Sequence, residues 1–169
     1  ARLAYLDDIF PRQITTLFST PDNIRRAIAQ ADLVVCAVLL PGRAAPKLIR
    51  REDLAVMKPG AVLVDVAVDQ GGCAETARPT THDDPIFTVD GVVHYCVANI
   101  PGAVARTSTL ALVNATLPYG LALAERGVEE ACRADAGLLA GINCYAGRCT
   151  CRGVAEALDL PYTPPETLI

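Results

Sequence analysis

Asp69-Gln70-Gly71-Gly72 carries the residue types for chemistry. A carboxylate can exchange a proton with a reacting group or fix a polar ligand, and two glycines beside it allow close backbone approach or positive φ. The element that must position it is the apolar run Val62-Leu63-Val64-Asp65-Val66-Ala67-Val68. That run is rich in β-branched residues and reads as a buried strand ending in Asp69. In open α/β sheets the ligand crevice lies at the carboxyl ends of the strands. Asp69 is therefore expected at a crevice. The plainer reading of a lone Asp-x-Gly is a strand-end aspartate that caps its own turn.

The neighbouring elements repeat one theme. Leu3, Leu6 and Ile9 stand at helical spacing within Ala1 to Phe10, and Ile14 to Phe18 read as a short strand. Ser19-Thr20-Pro21-Asp22 is a helix start, with a hydroxyl cap and an early proline, and that helix runs to about Gln30. Asp32 to Leu39 is the next buried strand, broken by Pro41-Gly42, and Arg43 to Lys47 form a polar loop. A second helix over about Arg51 to Met57 closes at Lys58-Pro59-Gly60 and leads into the central strand. Strand and helix alternating at this spacing mark parallel βαβ units. Right-handed crossovers bring Ser19, Val38, Leu39 and Asp69 to one edge.

Beyond Cys73 a Thr-, Pro- and Asp-rich loop carries Arg78 and His82, and His82 is read as solvated rather than catalytic. Ile86 to Val89 and Val92 to Val97 are two strands joined by Asp90-Gly91, a tight-turn signal. His94 is read as an ordinary strand side chain. Asn99-Ile100-Pro101-Gly102 ends the last strand at the same edge as Asp69. Ala103 to Ala124 form one long helix interrupted by Pro118, and Glu125 to Ile169 alternate short helices with turns and lack a Val-rich strand pattern. The domain boundary is placed near Arg106, giving parts 1–106 and 107–169.

The composition bounds the class. A chain of 169 residues, 51% hydrophobic and 20% charged, supports one domain with a sizeable core or a domain with an appendage. The net charge of −4 and pI near 5.1 argue against nucleic acid as the main partner. No apolar run reaches membrane-spanning length and no leader is apparent, so a cytoplasmic protein with reduced thiols is expected. Seven cysteines is an odd count. Cys36 and Cys96 read as small core residues. Cys144, Cys149 and Cys151 invite a metal or redox reading, yet zinc sites prefer paired C-x2-4-C spacing and no nearby histidine completes the set. No metal ligand is assigned.

The segments VDVAVDQGGCAETARPTTHDDP and VVHYCVANIPGAVARTSTLALVNATLPYGLALAERG, with ADLVVCAVLLPGRAAPKLI and VAEALDLPYTPPE, closely resemble the alanine dehydrogenases. The nucleotide-binding subunit of proton-pumping transhydrogenase is the related fold, and Asp69-Gln70 favours the dehydrogenase. The resemblance implies oxidation of L-alanine with NAD+ to pyruvate and ammonium, reversibly, by a homohexamer. It implies that Asp69 is the catalytic aspartate, positioning polar groups and assisting proton transfer at the amine centre. Val66, Ala67 and Val68 are expected to contact the cofactor. Ser19 is expected near its adenine end, Arg2 near the adenosine ribose, and Val38 and Leu39 along the adenosine half. Arg78 and Val97-Ala98-Asn99-Ile100 are expected toward the nicotinamide, where Asn99 can fix the carboxamide. Ile100 stands where methionine is usual and Ala105 where proline is usual. Cys144, Tyr145 and Ala146 replace the usual threonine, histidine and glutamate, a difference without a functional account.

A dinucleotide domain should also carry a strand–GxGxxG–helix unit and an acidic residue for the ribose. Neither occurs here, and the family's substrate-binding arginine and lysine and its catalytic histidine belong to an amino-terminal domain. The expected fold is thus α/β, a Rossmann-like parallel sheet lacking its first βαβ unit, followed by helices of the substrate domain. Such a sheet would expose an unpaired edge and an apolar face. The chain by itself is predicted to be unstable or aggregating, and inactive. The alternatives are a non-catalytic remnant, an NAD-binding module dependent on a partner, or a transhydrogenase relative.

Overall fold

The computed structural model describes residues 2–40 and 42–169, so the expected break at Pro41 and the first residue of the opening helix lie outside the described residues. Two compact units are present, Ala1–Val38 with Ala45–Ala98, and Leu39–Ala44 with Asn99–Ile169.

The first unit opens with helix α1 (Arg2–Ile9), which follows the predicted spacing but buries none of its side chains. Helix α2 (Pro21–Gln30) starts as expected: the Thr20 hydroxyl accepts from the Asn23 amide, Pro21 takes the first turn, and Asp22 sits at the positive end of the helix dipole. The sheet then forms from β1 (Leu33–Cys36), β2 (Val62–Asp65), β3 (Ile86–Val89) and β4 (Val92–Tyr95), in the order β1-β2-β4-β3. Pairs β1–β2 and β2–β4 are parallel, and β3 returns antiparallel on β4. The hairpin turns on Asp90 (φ 50°) and Gly91 (φ 82°), the left-handed pair that two-residue connections favour. The result is the mixed α/β fold with a mostly parallel sheet that the strand–helix alternation predicted. Its core is built from Leu54, Leu63, Val92, Ile49, Cys36 and Cys73, and Leu63 is completely buried.

Three expectations change. Ile14 to Phe18 is irregular rather than a strand, because a strand exists through its ladder and no described strand pairs with this segment. The strand expected over Asp32 to Leu39 is limited to Leu33–Cys36, where the ladder ends at the pair Cys36–Asp65. The helix expected over Arg51 to Met57 is a 3₁₀ turn, Arg51–Val56. It is held by i→i+3 bonds, Asp53 donating to the Arg50 carbonyl at 3.0 Å and Met57 to that of Leu54 at 3.1 Å, and by the Arg50 amide donating to the Asp53 carboxylate at 2.9 Å.

In the second unit, helix α3 (Ala105–Ala134) runs straight through Pro118, which was expected to interrupt it. The break comes at Gly127 instead, at φ 77° and ψ 170°, a conformation open essentially to glycine alone. Asp135 caps α4 (Ala136–Ala140) by accepting from the Gly137 and Leu138 amides at 2.7 and 3.0 Å. A small hairpin, β5 (Cys144–Tyr145) with β6 (Arg148–Cys149), then precedes α5 (Arg152–Leu158). Strands of two residues leave no periodicity to read. Their turn, Ala146-Gly147 with both φ positive, was the available signal.

Candidate active site

β2 stops at Asp65, four residues before the carboxylate expected to end it. The reason lies in the Asp65 side chain. It is fully buried, and a buried carboxylate needs donors. Oδ1 accepts from the Ala67 amide at 3.1 Å, while Oδ2 accepts from the Cys73 and Ala74 amides at 2.7 and 3.0 Å. The chain therefore curls around this group. Val68–Gln70 form one 3₁₀ turn, Gly71 and Gly72 follow at φ 90° and 75°, and Asp69 rides on the outside, exposed to solvent. A Cβ on Gly72 would lie 2.8 Å from Ala77 Cβ and 2.9 Å from Asp65 Oδ2, so this position requires glycine for space as well as for φ. The capping aspartate of the plainer reading exists, and it is Asp65. Asp69 is left with its carboxylate available.

The other face of the loop meets residues 45–49. Ala45 donates to the Gln70 carbonyl at 2.8 Å, and Leu48 to that of Cys73 at 2.8 Å. Lys47 lies between them, and its Nζ donates to the carbonyls of Gly71, Gly72 and Ala74. Gln70 Oε1 is buried and has no hydrogen-bond partner among the described residues.

Several sequence-predicted residues share this end of the first unit. Val66 donates to the Cys36 carbonyl at 2.9 Å, joining the ends of β1 and β2. It is exposed, whereas Ala67 and Val68 are buried beneath it. Val38 lines an apolar cleft of about 250 Å³ with Ile24, Cys36 and Cys73. Ser19 borders a separate polar hollow of about 300 Å³ with Asp22, Lys47 and Arg50. Arg78 stacks its guanidinium 4.1 Å above the Phe87 ring. Its segment is tied to the end of β4, since Thr80 donates to the Cys96 carbonyl at 2.9 Å and Ala98 to that of Thr80 at 3.1 Å. Val97 is buried and Ala98 half-buried there. Arg2 stands apart on α1, 4.9 Å over Tyr5. Leu39, Asn99 and Ile100 belong to the second unit. There Asn99 adopts φ 59° and accepts from the Gly102 amide at 2.8 Å, opening the 3₁₀ turn Ile100–Val104.

His94 is a buried strand residue, as expected. Nδ1 donates to the Val92 carbonyl at 3.0 Å, which leaves Nε2 to accept from the Thr76 hydroxyl at 2.8 Å. Its ring stacks on Phe87. All seven cysteines are free thiols. The group with metal-like proximity is Cys36, Asp65 and Cys73 rather than the tail cysteines. Three amides already occupy the Asp65 oxygens, so this group serves the loop. Burial, then the Asp65 charge, pushes the Cys36 thiol up to about 12.

Sequence reasoning missed Asp65 and Lys47. Asp65 had a signal, a lone charge inside an apolar strand run. Lys47 had none, because a lysine in a polar loop is ordinarily solvated.

Comparison with known proteins places the chain. The profile of the family described as "Alanine dehydrogenase/PNT, C-terminal domain" matches residues 1–152. The alanine dehydrogenase of Halomonas elongata is 56% identical over 168 residues, covering 99% of this chain and 45% of that protein. That of Bacillus subtilis is 53% identical over 166 residues, covering 98% and 44%. A solved L-alanine dehydrogenase superposes with a TM-score of 0.79 at 46% identity, covering 94% of this chain and 44% of that one. The chain spans a little under half the length of the relatives it matches. Its sequence and its mostly parallel α/β sheet agree on one assignment, and the chain belongs to the alanine dehydrogenase/PNT carboxyl-terminal domain family.

Proposed function

We propose that this chain is the cofactor-binding, carboxyl-terminal part of an NAD-dependent L-alanine dehydrogenase, which converts L-alanine, NAD+ and water to pyruvate, ammonium and NADH, reversibly. The observation that carries the reading is the exposed Asp69 carboxylate on a turn whose backbone is held on both sides, in a chain 56% identical to an alanine dehydrogenase. Residues 1–106 form the cofactor part in this reading, and 107–169 return to the substrate part. The complete enzyme is a cytoplasmic homohexamer.

The residues suit a nicotinamide dinucleotide. The apolar cleft beside Val38 offers contact for a flat ring, and the exposed Val66 beside Asp69 combines an apolar surface with a carboxylate at the strand ends. Ser19, Arg2 and Leu39 serve the adenosine half, and Arg78 with Val97, Ala98, Asn99 and Ile100 the nicotinamide half. NAD+, when bound, supplies the hydride acceptor. The chain's own work is then positional and acid–base. Val66, Ala67 and Val68 set the cofactor's depth at the strand end. Asp69 orients the substrate's amine centre and moves a proton at its nitrogen.

The test is alanine-dependent NADH formation by the full-length polypeptide carrying residues 1–169. Replacing Asp69→Asn removes the titrating group with little change of shape and should lower kcat by about 10²–10⁴-fold. Undiminished turnover in that variant sinks the assignment of Asp69.

A further inference from the structure

We propose that Lys47 is a positioning residue for Asp69, acting with Asp65 to hold the 67–74 loop in the one form that presents the carboxylate. The inference rests on the reading of Asp69 given above and extends it to residues that touch neither substrate nor cofactor. Asp69 makes the tightest demand on geometry, yet it sits in a segment with two consecutive glycines, the residues that fix a backbone least. Something outside the loop must supply the rigidity.

The structure supplies it as opposed charges. The peptide unit between Gly72 and Cys73 points its N–H at Asp65 Oδ2, 2.7 Å away, and its carbonyl at Lys47 Nζ, 2.9 Å away. Its dipole is thus aligned between an anion and a cation, and charge-assisted hydrogen bonds are the strong ones. The carbonyls of Gly71 and Gly72, both at positive φ, and that of Ala74 converge on one point. Three carbonyl oxygens crowded together repel one another unless a donor stands among them. An ammonium group, with three donors and no acceptor, matches that need. The Lys47 backbone is itself located, because Ala45 and Leu48 on either side donate into the same loop. Asp65 holds the amide side from within the core, and Lys47 holds the carbonyl side from the surface. Removing the ammonium leaves the sheet intact and frees the loop.

The experiment compares Lys47→Met and Lys47→Arg in the full-length alanine dehydrogenase polypeptide carrying residues 1–169, at folded fractions matched by circular dichroism. Amide exchange over residues 67–74 reads the loop directly, without requiring activity. In Lys47→Met, exchange at Cys73 and Ala74 should rise. The kcat should fall by about 10–100-fold while KM for NAD+ and alanine stays within about threefold, because a displaced catalytic group costs turnover more than binding. Lys47→Arg retains donors and charge and should restore most of kcat. If Lys47→Met does not fold, Lys47→Gln carries the same readouts. Unchanged exchange overturns the clamp. Faster exchange with unchanged kcat overturns the positioning role. If the parent itself makes no NADH from alanine, the functional reading falls, and the exchange data still decide the clamp.

Discussion

The segment 62–74 and the helix Ala105–Ala134 are both rich in apolar residues, and they spend them in opposite ways. In the first, Leu63, Asp65, Cys73 and Ala74 are essentially inaccessible to water, and the buried carboxylate has three amide donors. In the second, Leu110, Leu112, Val113, Leu117 and Leu121 are exposed, Leu112 by 65%, and the buried residues are Ala131 and Cys132 near its far end. The loop is determined by groups the chain itself provides. The helix carries apolar surface that the described residues leave open. Physical completeness is therefore a local property here, and substitutions should report which kind of region they fall in.

The widest contrast is in thiol chemistry. Cys36 lies at the floor of the clamped loop with its thiol pushed up to about 12, whereas Cys144 is exposed on the hairpin of the second unit. The thiolate is the reactive form, and a pKa of about 12 leaves Cys36 roughly a thousandfold short of the thiolate an ordinary cysteine holds at neutral pH. Alkylation followed by peptide mass mapping should find Cys144 modified first. Cys36 labelling should then rise about tenfold per pH unit as pH climbs toward that value. Equal rates at the two sites would mean that the loop opens freely, and the comparison would fail.

Replacing Asp65→Ala strands three buried amide donors at once. At about 1–3 kcal/mol for each unsatisfied group, partly relieved by water, the loss should be about 4 kcal/mol. Urea unfolding of the full-length polypeptide checks it. A loss below about 1 kcal/mol would show that the carboxylate is not what organises the loop. Gly72→Ala asks a smaller version of the same question. It forces a Cβ against Ala77 and Asp65 in a left-handed conformation and should cost about 2–3 kcal/mol, against about 1 kcal/mol at Gly71, where the added atom meets open space and only the positive φ opposes it.

The two regions also differ in how far the sequence alone could expose them. β2, β4, the Asp90-Gly91 hairpin and the Thr20-capped helix were legible because periodicity and turn chemistry are local. The position of Asp69 outside the ladder was not, since the strand-like pattern continues through Val66 and Val68 while the ladder stops at Asp65. What ends it is a set of contacts from residues 73 and 74 back to residue 65, a tertiary effect that no alternation encodes. Lys47 was invisible for the same reason, its partners lying 24 to 27 residues away. In the helical unit, Pro118 drew attention as a local breaker, yet the conformation changes at Gly127. Proline forbids a hydrogen bond. At φ 77° and ψ 170° Gly127 takes a conformation essentially restricted to glycine, and there the helix breaks.

The smallest effect is the most discriminating. Leu112 is exposed, so Leu112→Gln should alter the stability of the described sheet by less than about 0.5 kcal/mol, the range of surface substitutions away from special features. Amide exchange at β2 and the 67–74 loop of the polypeptide carrying residues 1–169 should match the parent. At the same time, binding of a hydrophobic dye should fall, because part of an exposed apolar stripe has been made polar. If the substitution loosened the loop as Asp65→Ala is expected to, the helix and the loop would share one cooperative unit. The division into a region complete in itself and a region that presents its apolar side to water would then be wrong. If dye binding alone changes, the stripe on Ala105–Ala134 is surface held apart from the folding of the sheet, and the 67–74 loop owes its order to Asp65 and Lys47.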